Sequence, residues 1–316
     1  MDKNNNNKQD IQDIIIAGSG PAGLTAAIYA ARGNLKPILL AGEIWGGQLM
    51  NTTEVENFPG FPEGIMGPDL MQNMIDQAKR FGTEFKYENV TEVDLKGEIK
   101  VIKTAKAEYK AKTVILATGS EPRRLKIPGE DKFYGRGVST CATCDGAFYR
   151  EKLVAIVGGG DSAMEEATFL SRFAKKVYLI HRKNEFRASK IMADRVLAND
   201  KIEVIWNTEV KEVLGEETVK GIKIYNNKDD SESELEINGF FLAIGHIPVT
   251  GYLNKQLPLN DEGYVQPLSF GTPKTNIDGV FVAGEIQDVT YKQAITTAGD
   301  GCKAAIEAIR FLDEIE

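Results

Sequence analysis

Cys141 and Cys144, in the stretch Cys141-Ala142-Thr143-Cys144-Asp145-Gly146, are the side chains of this sequence best suited to reversible chemistry. Thiols at that spacing can close a small disulfide ring and reopen it. A thiolate at the start of a helix gains from unpaired N–H groups, which lower its pKa. Asp145 is the nearest candidate for acid/base help, because the chain has only 2 histidines, His181 and His246, and neither is close in sequence. Two blander readings compete. Structural zinc wants four ligands, and the only other thiol, Cys302, has no Cys or His at ligand spacing beside it, so no metal is expected. A structural disulfide over so short a loop would stabilise little. A redox dithiol is the favoured reading.

The elements around this pair have to supply electrons, and two glycine motifs are placed to do so. The apolar run Ile14-Ile15-Ile16 predicts a strand buried on both faces. It leads directly into Gly18-Ser19-Gly20-Pro21-Ala22-Gly23, followed by an alanine-rich helical stretch. This is GxGxxG in its strand–turn–helix setting, where glycines allow a tight turn and close approach of backbone to a pyrophosphate at a helix N-terminus. The next strand, residues 37–40, would ordinarily end on an acid for a ribose; Ala41 and Gly42 stand there instead and Glu43 comes slightly late.

After the dithiol the pattern repeats. Residues 153–157 read as a strand, Gly158-Gly159-Gly160-Asp161-Ser162-Ala163 as a GxGxxA turn, and residues 164–173 as a helix. The following strand, 177–180, runs into His181-Arg182-Lys183, with Arg187 beyond. A basic cluster at the ribose position suits the extra phosphate of NADP rather than the free hydroxyl of NAD. Elsewhere residues 46–62 read as a functional loop, 71–81 as an amphipathic helix, 85–93 and 99–104 as strands, and 113–116 as a buried strand ending near Thr118 and Gly119. The pattern breaks at residues 121–124, where a domain crossing is expected.

Composition sets the outer bounds. With 316 residues, two domains are expected, and 42% hydrophobic and 27% charged residues describe an ordinary soluble, core-forming chain. The net charge of −8 argues against binding nucleic acid or an anionic membrane. Three cysteines do not make a secreted disulfide framework. The polar start, with Asn4 to Asn7, carries no apolar core of a signal peptide and reads as a short disordered tail. No run is long enough to span a bilayer, so a cytoplasmic location is expected.

Two dinucleotide sites with a dithiol between them imply a hydride-to-disulfide relay. On GSGPAG, GGQL, TEVENFPG, ATGS, CATCDGAFYR, GGGDSAMEEA, HRKNEFRA, AIGHIP, VAGEIQD and QAITTAG, the chain resembles the bacterial-type low-molecular-weight thioredoxin reductases along nearly its whole length. That resemblance implies an α/β fold of two Rossmann-like, three-layer domains: a discontinuous FAD domain, residues 1–121 and 249–316, and an inserted NADPH domain, 122–248, carrying the CxxC.

It further implies FAD along residues 18–23, then Ala41, Gly42, Glu43, Gly46, Gly47 and Gln48, then Asn57, Val90, Thr118, Gly119, Gly284, Glu285, Lys292, Gln293 and Ala294. NADPH would lie along Gly158, Gly159, Gly160, Asp161 and Ser162, with His181, Arg182, Lys183, Arg187, Ile244 and Gly245. Cys144 would be the sulfur nearest the flavin, Cys141 the one attacking the disulfide of thioredoxin, and Asp145 the proton carrier. A homodimer is implied, together with a rotation between domains hinged near residues 121–125 and 244–249. Lys183, Glu285, Lys292 and Val249 depart from the residues usual in the family. The alternatives are a flavin-dependent NAD(P)H reductase of another disulfide carrier, and a redox-regulated nucleotide-binding protein.

Overall fold

A computed structural model of the chain describes residues 11–52 and 54–315. The polar tail expected before residue 11 lies outside the described residues. The chain divides into two compact units, one formed by residues up to Glu121 together with those from Ile247 onward, the other by Pro122–His246.

The first unit is built on a seven-stranded sheet. Its path runs Glu84–Lys86, Ile38–Leu40, Gln12–Ala17, Glu108–Leu116, Lys100–Thr104, Val90–Asp94, with Val280–Val282 also pairing with Glu108–Leu116. Gln12–Ala17 pairs in parallel with both neighbours, Ile15 lying opposite Ile38 and Val114. Ile14, Ile15 and Ile16 are all fully buried, Ile14 and Ile16 in one apolar cluster and Ile15 in another, because successive side chains point to opposite faces. Each such burial contributes about 1.5–3 kcal/mol. Helices Pro21–Arg32, Gly67–Arg80 and Ala294–Ile315 belong to this unit.

Two details differ from expectation. The stretch 85–93 is two strands, Glu84–Lys86 and Val90–Asp94. The chain turns between them because Lys86 and Glu88 carbonyls and the Asn89 side chain are engaged by the 41–43 backbone. The second helix begins at Gly67 rather than at 71, since Pro68 fits the first turn and Asp69 suits a helix start.

In the second unit a five-stranded parallel sheet runs Val138–Ser139, Gly239–Ala243, Leu153–Gly158, Lys176–Ile180, Ile202–Ile205. A three-stranded antiparallel sheet, Thr208–Gly215, Val219–Asn226 and Ser231–Glu236, accompanies it. The helix after the second glycine turn is Asp161–Leu170, opening earlier than the expected 164. Among the described residues no helix is long and apolar enough to cross a membrane.

Candidate active site

The dithiol segment follows the short edge strand Val138–Ser139. Cys141 is extended, at φ −141° and ψ 99°, and caps the one-turn helix Ala142–Asp145. Cys141 and Cys144 form a disulfide with Cα atoms 5.3 Å apart. The turn is pinned by four backbone donors. Cys141 N–H donates to Ser139 Oγ (3.0 Å), Ala142 N–H to Glu166 Oε2 (3.3 Å), Cys144 N–H to Cys141 Sγ (3.2 Å) and Asp145 N–H to the Cys141 carbonyl (3.2 Å).

Asp145 is half-buried, and desolvation pushes its carboxyl above the usual carboxylate range, against a hydrogen bond from Ser139 that pulls the other way. Tyr149, edge-on to Phe241 with ring centres 5.2 Å apart, is pushed up to about 12, mainly by burial and then by the charge of Asp145. The turn therefore sits among a disulfide, hydroxyl groups and a carboxyl whose pKa burial raises. Among the described residues no cluster of His, Cys, Asp and Glu could hold a metal ion.

In the first unit the glycine turn sits at the C-terminal edge of the parallel strands. Gly18 has φ +112°, and an added Cβ would lie 2.2 Å from the Ala117 carbonyl oxygen; at Gly23 it would lie 1.9 Å from the Gly18 oxygen. At Gly20, the N-cap of Pro21–Arg32, nothing lies within 4 Å. Two glycines let the backbone close up, and one leaves open space over a helix start. Ser19 ties the neighbouring loop to this turn: its Oγ donates to the Ala41 carbonyl (2.7 Å) and accepts from Gly46 N–H (2.9 Å). Gly47 comes so close to Gly20 that a Cβ would be 3.1 Å from its Cα.

The other residues named for the flavin gather at the same edge. Gln48 Nε2 donates to the Ser120 carbonyl (3.3 Å), and Thr118 Oγ1 to that of Val249 (2.8 Å). Gly119, at φ +69°, faces open space. Gly284 abuts Ala22, and Asn57 Nδ2 donates to Gln293 Oε1 (3.4 Å). Lys292 N–H donates to Asp288 Oδ2 (2.9 Å), just before Ala294 opens the C-terminal helix. Val90 is half-buried where its strand starts. Glu43 is exposed, with its N–H on Asn89 Oδ1 (3.1 Å). Glu285 Oε2 accepts a hydrogen bond from Ser120 Oγ (2.7 Å), and burial pushes its carboxyl upward.

The second unit repeats the cradle. A Cβ at Gly158 would strike Ala163 and the Ala243 carbonyl at 2.5 Å, so strand and helix pack through it. Gly160 caps Asp161–Leu170, and the atom nearest its open side is Arg187 Nη2, 3.8 Å from an added Cβ. Arg187 N–H donates to the Gly159 carbonyl (2.8 Å), while Asp161 Oδ1 accepts from Ser189 N–H (2.7 Å), fixing the basic loop over the turn. Ser162, Arg182 and Lys183 are exposed.

His181 is placed differently from its basic neighbours. Its ring lies behind Gly159, hydrogen-bonds the Glu185 carbonyl (2.9 Å) and packs against Phe186 and Trp206; desolvation lowers its pKa. It supports the turn from inside. Ile244 and Gly245 extend beyond the strand Gly239–Ala243 that pairs with Gly158, Gly245 taking φ +98° and its carbonyl accepting from Arg123 N–H (2.9 Å). Ser139, Tyr149 and Glu166, which bear on the dithiol turn, were not among the expected site residues. No local spacing in the sequence points to them, because the contact of Glu166 with the turn joins segments 24 residues apart.

The family profile "Pyridine nucleotide-disulphide oxidoreductase" matches residues 12–301. The chain belongs to this family. Among pyridine nucleotide-disulphide oxidoreductases, a thioredoxin reductase of Streptomyces coelicolor is 53% identical over 305 residues, covering 96% of this chain and 94% of that one. One of Mycolicibacterium smegmatis is 52% identical over 306 residues, covering 97% and 98%. The solved thioredoxin reductase of Giardia duodenalis superposes with a TM-score of 0.93 at 40% identity, covering 96% of this chain and all of that one. As a member of the family the chain is an NADPH-dependent flavoprotein disulfide oxidoreductase whose cofactors are FAD and NADPH. The cradle at Gly18, Gly20 and Gly23 and the one at Gly158 and Gly160 fit two dinucleotides: each joins close-packed backbone to an open helix start.

Proposed function

We propose that this chain is a thioredoxin-disulfide reductase, in which the first unit holds FAD and the second holds NADPH. The observation that carries this reading is the Cys141–Cys144 disulfide closed on a turn beside the half-buried Asp145, in the unit that bears a dinucleotide cradle and a basic loop. FAD, when bound, supplies a two-electron relay between NADPH and the disulfide. The residue roles below are those implied by the resemblance.

Two electrons, drawn ultimately from NADPH, and two protons open the ring to two thiols. Cys141, as thiolate, attacks one sulfur of the oxidised thioredoxin disulfide; that S–S bond breaks and a mixed disulfide forms. The sulfur released from thioredoxin takes a proton. Cys144 then attacks the Cys141 sulfur, restoring the ring and freeing thioredoxin as a dithiol. Asp145 lies in the same turn, and a carboxyl whose pKa burial raises is suited to supply a proton to a sulfur leaving as thiolate. Arg182, Lys183 and Arg187 favour the 2′-phosphate of NADPH.

The chain is further proposed to work as a cytoplasmic homodimer. The free thiol of Cys302 supports a reducing compartment, and sedimentation of the FAD-loaded protein tests the dimer. The function is tested by NADPH-dependent reduction of thioredoxin with the wild type, Cys141→Ser and Cys144→Ser. Turnover is expected in the wild type alone, since neither variant can close the ring; substantial turnover by either variant would remove the pair from the reaction.

A further inference from the structure

The disulfide turn is held from the side by a carboxylate of the neighbouring helix. Ala142 N–H, on the peptide directly after Cys141, donates to Glu166 Oε2 at 3.3 Å. Glu166 is half-buried on helix Asp161–Leu170, where the other two acids are turned elsewhere: Asp161 engages Ser189 N–H, and Glu165 is exposed. Within the turn and the segment after it, the titratable groups are Asp145 and Tyr149, and burial favours the neutral form of both. Glu166 thus sets its carboxylate against the backbone beside Cys141.

That placement has a sign. Cys144 N–H already donates to Cys141 Sγ, a contact that favours an anionic sulfur. The Glu166 carboxylate opposes it twice, by taking the adjacent backbone donor and by repelling a second negative charge in half-buried surroundings. Dithiol proteins that oxidise their partners do so because the thiolate of the reduced form is stabilised. A group that disfavours the thiolate pushes the pair the other way, toward reducing power.

We propose that Glu166 is a positioning residue that keeps the Cys141–Cys144 pair strongly reducing by disfavouring the Cys141 thiolate. The proposal deepens the reductase reading and rests on it only for its purpose, not for its test. Reduction of the ring takes two electrons and two protons to give two thiols. Where Cys141 ionises, one proton fewer is taken up, so stabilising its thiolate draws the equilibrium toward the dithiol.

The test is a redox titration of the FAD-loaded full chain against dithiothreitol buffers, without oxygen or thioredoxin. Each dithiothreitol molecule gives up two electrons and two protons and becomes its cyclic disulfide. Wild type, Glu166→Gln and Glu166→Ala are equilibrated at pH 6 and pH 9, quenched and alkylated, and the Cys141–Cys144 peptide is weighed. Glu166→Gln keeps shape and acceptor but loses charge. At pH 9 its equilibrium should move roughly three- to tenfold toward dithiol, a midpoint more oxidising by about 15–30 mV. At pH 6, where protons compete with thiolate formation, the shift should be clearly smaller, and Glu166→Ala should behave alike. Coincidence of Glu166→Gln with wild type at both pH values would overturn the proposal. So would an equal shift at both, which points to geometry, or a shift in the alanine variant alone. Failure to reduce thioredoxin would appear only in the separate turnover assay and bears on the broader reading.

Discussion

Asp145 carries the clearest chemical expectation of any single residue. Its burial penalises the charged form, so its carboxyl holds a proton to higher pH than an ordinary aspartic acid. Thiol–disulfide exchange that needs this proton should proceed below the raised pKa and weaken as pH rises through it. Asp145→Asn should lower turnover by about 10²–10⁴-fold and erase that limb of the pH–rate profile. Stability runs in the same direction. A raised folded-state pKa contributes stability that is complete below the unfolded value and is lost as pH rises through the folded one. Asp145→Asn should therefore melt higher than wild type above that range, and the gap should close in acid. Thermal melts across pH check the sign; a variant that keeps the wild-type limb would show that another group supplies the proton. The same reasoning separates His181 from its neighbours, since a buried neutral ring under Gly159 can support a phosphate loop without charging.

At the scale of the elements, the glycine turns divide into residues that close the backbone and residues that keep space open. Gly23→Ala would press a methyl group to 1.9 Å from the Gly18 oxygen, whereas Gly20→Ala meets nothing within 4 Å and sits at an ordinary negative φ. Gly23→Ala should destabilise the chain by about 1–3 kcal/mol. Gly20→Ala should melt like wild type without cofactor yet be purified with far less flavin, because its methyl occupies the space over the helix start. Melting without cofactor, set beside flavin absorbance, distinguishes the two; equal flavin content in Gly20→Ala and wild type would place the pyrophosphate elsewhere. These turns were legible in the sequence because strand, glycine spacing and helix are all local, as was the CxxC. What sequence reading missed depends on contacts between distant segments. The single strand expected at 85–93 breaks because the 41–43 backbone engages Lys86, Glu88 and Asn89. His181 looks basic beside Arg182, but Trp206, on a later strand–loop, closes over it. The fit of Glu285 depends on Ser120, 165 residues away, and that of the dithiol turn on Glu166, 24 residues from Ala142.

Over the whole molecule the balance is acidic, 46 Asp and Glu against 38 Lys and Arg, and this makes the basic loop of the second unit an exception in sign. Arg182, Lys183 and Arg187 stand exposed around the second glycine turn, with the Arg187 guanidinium beside the open side of Gly160. A general negative field repels both nicotinamide nucleotides; a local basic island offsets that repulsion most for the one with the extra phosphate. The wild type should accordingly use NADPH far better than NADH. Charge-assisted contacts to phosphate are worth about 1.5–3 kcal/mol each. Arg187→Ala should then lower kcat/KM for NADPH by about ten- to a hundredfold while NADH changes little. Salt supplies an independent check, because the Debye length shrinks from about 30 Å at 0.01 M to about 10 Å at 0.1 M. Raising ionic strength across that range should reduce the preference for NADPH, and Arg187→Ala should flatten the dependence. Flavin reduction by each nucleotide, followed by stopped flow at several salt concentrations, measures both effects. Equal rates for the two nucleotides, or identical salt slopes in wild type and Arg187→Ala, would move nucleotide selection away from this loop.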